Sequence, residues 1–283
     1  MTEIRKVSPS AGAEWLLGGF ALLRKAPLAL GLLGLIWGGL STLASMTGQL
    51  WLSFALALLG PILFGGLLYA VREVDQDRAA RPSHLAQGLQ AGKALRLLAM
   101  LLPQLVAVVI VVAMLFAMIG AEQLQELARV MEQMQTNPDP QLAEALPAGR
   151  MFAWLLIALA VGILAGLFTF VAIPEVMFTD RGALDAMVLS FRTCLRNIGA
   201  LAVMLVLTLI AMIAISLAVQ LVIALLGLVI GMQPAMFAGQ LLLTAVVLPV
   251  MAGAVYHAWR QMLDGGESVR APAPPVHNGG FEA

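Results

Sequence analysis

The chain has 283 residues, 61% of them apolar and only 11% charged, with a mean hydropathy of +0.93. A soluble domain carries about 25% charged residues, so most of this chain belongs in lipid. The sixteen Lys and Arg balance sixteen Asp and Glu without forming a basic cluster, which argues against a nucleic-acid partner, and one cysteine, Cys194, cannot build an intrachain disulfide framework.

The first 25 residues are expected to be retained rather than cleaved. Arg5 and Lys6 resemble the start of a signal peptide, but a second basic pair, Arg24-Lys25, precedes the first long apolar run, and no small-residue cleavage site leads into a polar domain. Ser8-Pro9 has the form of a helix start, an N-cap followed by proline at the first helical position. Trp15, Leu16, Phe20 and Leu23 line one side of the helix this opens.

Crossing a hydrocarbon core of ~30 Å takes about 20 helical residues. Six apolar blocks qualify, near residues 26–47, 51–72, 97–120, 151–173, 199–229 and 235–258. They are continuous rather than alternating, which excludes a barrel, and an open sheet would leave its backbone edges unsatisfied in lipid. Helices remain. The last two blocks run together from Gly199 to Trp259, and the best division is Gly231-Met232-Gln233-Pro234, where Gly ends one helix and Pro helps to start the next.

With six crossings, one side of the membrane receives Arg5, Lys6, Arg24 and Lys25, then Arg72, Arg78, Arg81, Lys93 and Arg96, then Arg181, Arg192 and Arg196, and finally Arg260 and Arg270. The other side receives only Arg129 and Arg150. The positive-inside rule places the first set, and both termini, in the cytoplasm.

Each odd-numbered span is preceded on that side by a segment with one apolar face. The first follows Ser8-Pro9. The second follows Pro82-Ser83, with Leu85, Leu89 and Leu95 opposite His84, Gln87, Gln90 and Lys93. The third runs from Asp180 to Asn197, with Leu184, Met187, Val188, Phe191 and Leu195 opposite Asp185, Arg192, Thr193 and Arg196. Such helices lie in the interface with their basic residues toward anionic headgroups, or pack on the bundle as connectors, or both. The expected fold is therefore all-α: six transmembrane helices as three hairpins, each preceded by a cytoplasmic interfacial amphipathic helix.

A weak internal repeat supports that division. Pro61 and Pro249 are each followed by Gly four residues on (Gly65, Gly253) and Arg eleven on (Arg72, Arg260), with Tyr69 and Tyr256 between; the fourth span ends differently, at Pro174-Glu175. On the other side of the membrane, Leu124, Leu127, Met131 and Met134 extend the third span as a helix to about Gln135, stopped by Asn137-Pro138-Asp139-Pro140. Glu122, Glu126, Glu132, Asp139 and Glu144 make this loop acidic, suited to capping the bundle or meeting a partner. Residues 1–262 form one membrane domain, and 263–283, rich in Gly and Pro, read as a disordered cytoplasmic tail.

Catalytic signatures are absent. His84, His257 and His277 are far apart and none belongs to an HExxH pair, there is no G-x-S-x-G elbow, and no glycine-rich loop ends in Gly-Lys-Ser/Thr. No catalytic residue, cofactor or metal ligand is expected. Intramembrane polarity is the remaining place for chemistry. Glu175 is either a proton or cation site or an interfacial carboxylate paired with Arg72, Arg181 or Arg260. Pro61 and Pro249, near mid-membrane, mark either a broken-helix solute site or packing kinks beside small glycines. Gln220 and Gln240 are placed to hydrogen-bond to each other as helix glue or to line a pore. The G-x-x-x-G pairs Gly34/Gly38, Gly162/Gly166 and Gly227/Gly231 permit close helix approach, within the chain or between copies. Cys194 is either a redox or modified thiol or a small apolar residue.

Three stretches carry a resemblance that covers the chain to about residue 262. They are Arg5-Lys6-Val7 with Gly12-Ala-Glu-Trp15-Leu-Leu-Gly-Gly-Phe20 and Arg24-Lys25-Ala-Pro27; Gly60-Pro61 with Gly65-Gly66; and Ser190-Phe191 with Arg196-Asn197. In these the chain resembles a group of uncharacterised proteobacterial six-helix inner-membrane proteins. It is also distantly similar to the membrane domain attached to some glycerophosphodiester phosphodiesterases, although it has no phosphodiesterase domain. The resemblance implies a multi-pass protein of the bacterial inner membrane, without a catalytic set to carry over. The expectation is a non-enzymatic structural, assembly or envelope-maintenance role; the alternative is a transporter or channel for a small or lipidic solute. The expected partners are the lipid bilayer, with anionic headgroups at the cytoplasmic face, and a membrane protein or a second copy of the chain.

Overall fold

The computed structural model describes residues 4–136 and 147–264, and among these residues it is built of helices and turns with no strand. Six helical stretches are long and apolar enough to cross a membrane: Pro27–Met46, Leu50–Asp75, Ala94–Ile119, Ala148–Phe178, Ile198–Ile230 and Met232–Leu263. The protein is therefore a multi-pass membrane protein, and the division at Gly231 falls where the sequence places it.

In chain order, α1 (Ala11–Lys25) leads into α2 (Pro27–Met46) and α3 (Leu50–Asp75). Short pieces follow: a 3-10 turn at Pro82–Ala86, α4 (Gln87–Gln90), α5 (Ala94–Leu98) and a second 3-10 turn at Ala99–Leu101 that enters α6 (Leu102–Ile119). Beyond them lie α7 (Ala121–Thr136), α8 (Ala148–Thr169), α9 (Ala172–Phe178), α10 (Ala183–Arg196), α11 (Ile198–Ile230) and α12 (Met232–Trp259), the last closing in a π turn at Arg260–Asp264. Consecutive spans touch: α2 packs on α3, α6 on α8 and α11 on α12.

Packing is concentrated at the end of the molecule that carries the cations. In α3 every buried residue lies from Ile62 onward, and in α11 the buried residues are Ala200, Met204 and Val219 only. Both apolar clusters sit at this basic end. One joins α1, the start of α2 and the ends of α3 and α12; the other joins Ile62, Leu97, Met100, Val176, Met177 and Met187. Toward the opposite end the spans present leucine, isoleucine and valine outward, as segments facing hydrocarbon must. The six span termini at the basic end are tied to one another. The Arg5 N–H donates to the Met262 carbonyl at 3.0 Å, so both ends of the described chain meet on one side.

The non-spanning segments lock this end together. Helix α1 lies against α11 and α12 with almost no gap. A methyl group on Gly12 would collide with the Ala200 carbonyl, and one on Gly19 with the Val250 carbonyl, while Gly253 of α12 faces the Gly19 backbone in return. The 82–98 pieces pack on α3, where Gly66 abuts the His84 and Leu85 carbonyls, and α10 packs on α8. Of the G-x-x-x-G pairs, Gly34 and Gly38 meet Thr244 of α12, whereas Gly162 and Gly166 have no neighbour within 4 Å and Gly227 meets only Met232 of the adjoining turn.

Three expectations need correction. The segment after Pro82-Ser83 is not one amphipathic helix: Gly92, at φ +67°, breaks it, and Leu89 and Leu95 are 53% and 82% exposed while only Leu85 is buried. The third span does not continue straight to Gln135. Gly120, at φ +83°, ends α6, and α7 is a separate helix with its own direction, because that backbone conformation cannot propagate a right-handed helix. The fourth span breaks at Phe170–Val171 and resumes as α9, which carries Pro174-Glu175 in its first turn. Of the tail expected from residue 263, Leu263 and Asp264 belong to the π turn, with Leu263 buried, while the rest of it and the expected stop at 137–140 lie outside the described residues.

Alanine at Gly12 or Gly19 is expected to lower stability by at least the upper end of the about 1–3 kcal/mol typical of overpacked sites. Alanine at Gly162, which has open space around it, is expected to be neutral or to gain up to ~1 kcal/mol of helix propensity. Thermal unfolding of the purified variants in detergent checks both.

Candidate functional site

The break before α9 is what brings Glu175 inside. Interrupting a helix frees backbone groups that lipid cannot satisfy. Here Ser190 of α10 serves both sides of the break: its Oγ donates to the Leu167 carbonyl at 2.8 Å and accepts the Val171 N–H at 3.2 Å. Pro174 is tolerated because first-turn positions have no intrahelical acceptor to lose. At the other end of α9, Lys93 Nζ donates to the carbonyls of Met177 and Thr179 at 2.9 and 2.8 Å, the favoured place for a cation. Desolvation by burial lowers the Lys93 pKa from its ordinary value.

Glu175 is only 2% exposed. Its Oε1 accepts the Arg181 Nε–H at 2.9 Å and its Oε2 accepts the Trp259 indole N–H at 2.8 Å. Of the three arginines within sequence reach, the partner is Arg181. The carboxylate thereby bolts α9 to the end of α12.

Beside it, α3, α9 and α12 enclose a cavity of about 210 Å³ lined by Arg72, Asp75, Gln76, Phe178, Thr179, Tyr256, Trp259 and Arg260. Asp75 Oδ2 accepts from Arg260 Nη1 at 2.6 Å and from the Tyr256 hydroxyl at 3.0 Å. The Arg72 guanidinium stands over the Phe178 ring, 4.9 Å from its centroid, and Arg260 over Tyr256 at 5.6 Å. Phe178 in turn packs on Trp259, with centroids 5.0 Å apart. Arg72 makes no ion pair or hydrogen bond among the described residues, so the wall carries one positive charge more than it neutralises.

The other residues singled out from sequence are dispersed. Pro249 is buried against Gly34 of α2, ten residues, or about 15 Å of helix, from Trp259. Pro61 adjoins a second space of about 360 Å³ between α2 and α3, lined by Trp37, Ser41, Ser45, Ser53, Leu56, Ala57 and Gly60. Gln220 and Gln240 are both exposed and make no hydrogen bond to each other; the contact at that level is Gly239 under the Ile223 side chain. Glu175, Pro61 and Pro249 thus belong to three different places.

Sequence reasoning missed Asn197 and Asp75. Asn197, 3% exposed, accepts the Val7 N–H at 2.8 Å and donates to the Arg5 and Thr193 carbonyls at 3.0 Å each, pinning the N-terminal segment to the end of α10. Its place just after an amphipathic helix was the available signal. Asp75 stood three residues beyond Arg72 at the end of a span, with Tyr256 and Arg260 in a repeat already visible. Cys194 is buried, with Sγ 4.0 Å from Ser190 Oγ, and burial pushes its pKa up to about 12. Among the described residues no group of three or more His, Cys, Asp or Glu is gathered as a metal ion would need.

No protein-family model, curated protein or solved structure matched the chain.

Two outcomes follow from this geometry. Arg181→Gln leaves a buried carboxylate without its cation, so it is expected to cost about 3 kcal/mol. Glu175→Gln keeps an acceptor for Trp259 and leaves a cation that water can reach, so about 1–2 kcal/mol is expected; paired unfolding curves measure the difference. The Cys194 thiol, protonated well above neutral pH, is expected to resist maleimide at pH 8 in the folded protein and to react once denatured, as read by intact mass.

Proposed function

We propose that the chain is a protein of the bacterial inner membrane, with both termini in the cytoplasm, that acts without catalysis as a structural or assembly component of the envelope. Fourteen of the sixteen Lys and Arg fall on the side assigned to the cytoplasm, and the resemblance to proteobacterial inner-membrane proteins points to the same compartment. In this reading the spans are three hairpins. Each is preceded by a segment at the membrane surface that packs on the last span of the hairpin before it: 82–98 on α3, α10 on α8, and α1 on α12. The third contact closes the series into a ring.

The observation that carries the proposal is what the polar side chains of that ring do. Glu175, Ser190, Lys93 and Asn197 each bind backbone or a neighbouring side chain of their own chain, the behaviour of a rigid platform. A second reading, passage of a small or lipidic solute, is favoured by one observation, the serine-lined space beside Pro61. That space is remote from Glu175 and has no charged lining.

Purification of the tagged protein in mild detergent, with identification of co-purifying proteins and lipids, is expected to yield a stoichiometric membrane-protein partner. A bound small solute in its place supports the passage reading and sinks the first. A fluorescent protein fused after Gln261 is expected to be bright, and alkaline phosphatase at the same point inactive; the opposite pattern reverses the orientation.

A further inference from the structure

We infer that the cavity between the ends of α3, α9 and α12 binds a phosphate group at the membrane surface. The inference rests on the protein being embedded in a membrane, and not on the side or the role proposed above. Arg72 and Arg260 both line the cavity, with Asp75 as the facing carboxylate. Asp75 is engaged by Arg260 and Tyr256, and the neighbouring Glu73 is paired with Arg78, which leaves Arg72 as a cation held in place by Phe178 with no ion pair or hydrogen bond of its own among the described residues.

An arginine fixed on an aromatic face loses little freedom on binding, and its planar fork matches the oxygens of a phosphate. Arg260 uses Nη1 for Asp75 and has further N–H donors to offer. The Gln76 amide and the Thr179 segment complete a polar wall. The floor is Phe178, Tyr256 and Trp259, residues of the kind that settle at the level of headgroups. Arg72 stands near the end of its span, three residues before Asp75, at the depth where lipid phosphates are the most abundant anion. The volume of about 210 Å³ admits a phosphate and the first atoms of what it esterifies. Two sources share this chemistry, the headgroup of an anionic phospholipid and a soluble phosphate.

The test uses the full chain in a mild non-ionic detergent, followed by tryptophan fluorescence, since Trp259 lines the cavity, and by native mass spectrometry. Phosphatidylglycerol in mixed micelles and inorganic phosphate are titrated separately. Wild type is expected to show saturable binding that Arg72→Gln weakens by about tenfold or more. Arg72→Lys, which keeps the charge and loses the fork, is expected to fall between. Arg196→Gln removes an exposed cation from the same end and is expected to bind as wild type does. Saturation by the lipid alone assigns the headgroup. Saturation by inorganic phosphate, with displacement of the lipid, assigns a soluble ligand. Competition on wild type gives this answer even where the Arg72 variants fold poorly. Binding of neither probe by wild type, equal binding by Arg72→Gln, or equal loss in Arg196→Gln overturns the inference.

Discussion

Helices in lipid gain nothing by hiding leucine from leucine, because the surrounding hydrocarbon is as apolar as the side chain. Whatever holds this protein together has to come from close backbone approach and from hydrogen bonds that lipid cannot offer. Both are concentrated at one end, although Gly38 against Thr244 and the Trp154 Nε1–H donating to the Val111 carbonyl at 3.0 Å lie farther along the spans. Gly12, Gly19 and Gly253 bring α1 against α11 and α12, Gly66 brings α3 against the 82–86 turn, and Glu175, Ser190 and Asn197 join segments far apart in sequence. The two apolar clusters are found at the same end.

The cations have two tasks there. A lysine or arginine beside a membrane sets orientation by its charge alone, yet several of these also terminate helices. Lys93 closes the end of α9, and Lys25 reaches the end of α3 through the Asp75 carbonyl and the Asp77 carboxylate. Arg96 does the same for the turn at Asp180. Placing a positive charge at a helix C-terminus adds a favourable interaction with the dipole, so these cations also join the pieces of the chain.

Length and composition made the spans legible, because a membrane imposes a nearly fixed run of apolar residues and little else. The breaks inside them were harder to see. The Phe170–Val171 interruption lies within apolar text, and Ser190, which stabilises it, is about twenty residues away, while Gly120 stands at the last position of its apolar block. Glu175 was visible as an acid at a span end, but three arginines were within reach and only the fold chooses Arg181. Gln220 and Gln240 looked like partners because polar residues are scarce there. The contact between those helices at that level is instead Gly239 against Ile223, and both glutamines are exposed. Short apolar runs with scattered glycine, as in 82–98, carry a face but not the continuity that makes it one helix.

The closure between the first helix and the last has a consequence for biogenesis. Helix α1 is synthesised before the six spans described above, but its seat on α12, and the Met262 carbonyl that receives the Arg5 N–H, come after the other five. Until the sixth span is made, α1 lacks the surface it packs on. A chain arrested before α12 therefore carries α1 without its seat, and the Arg5 N–H without the carbonyl that receives it.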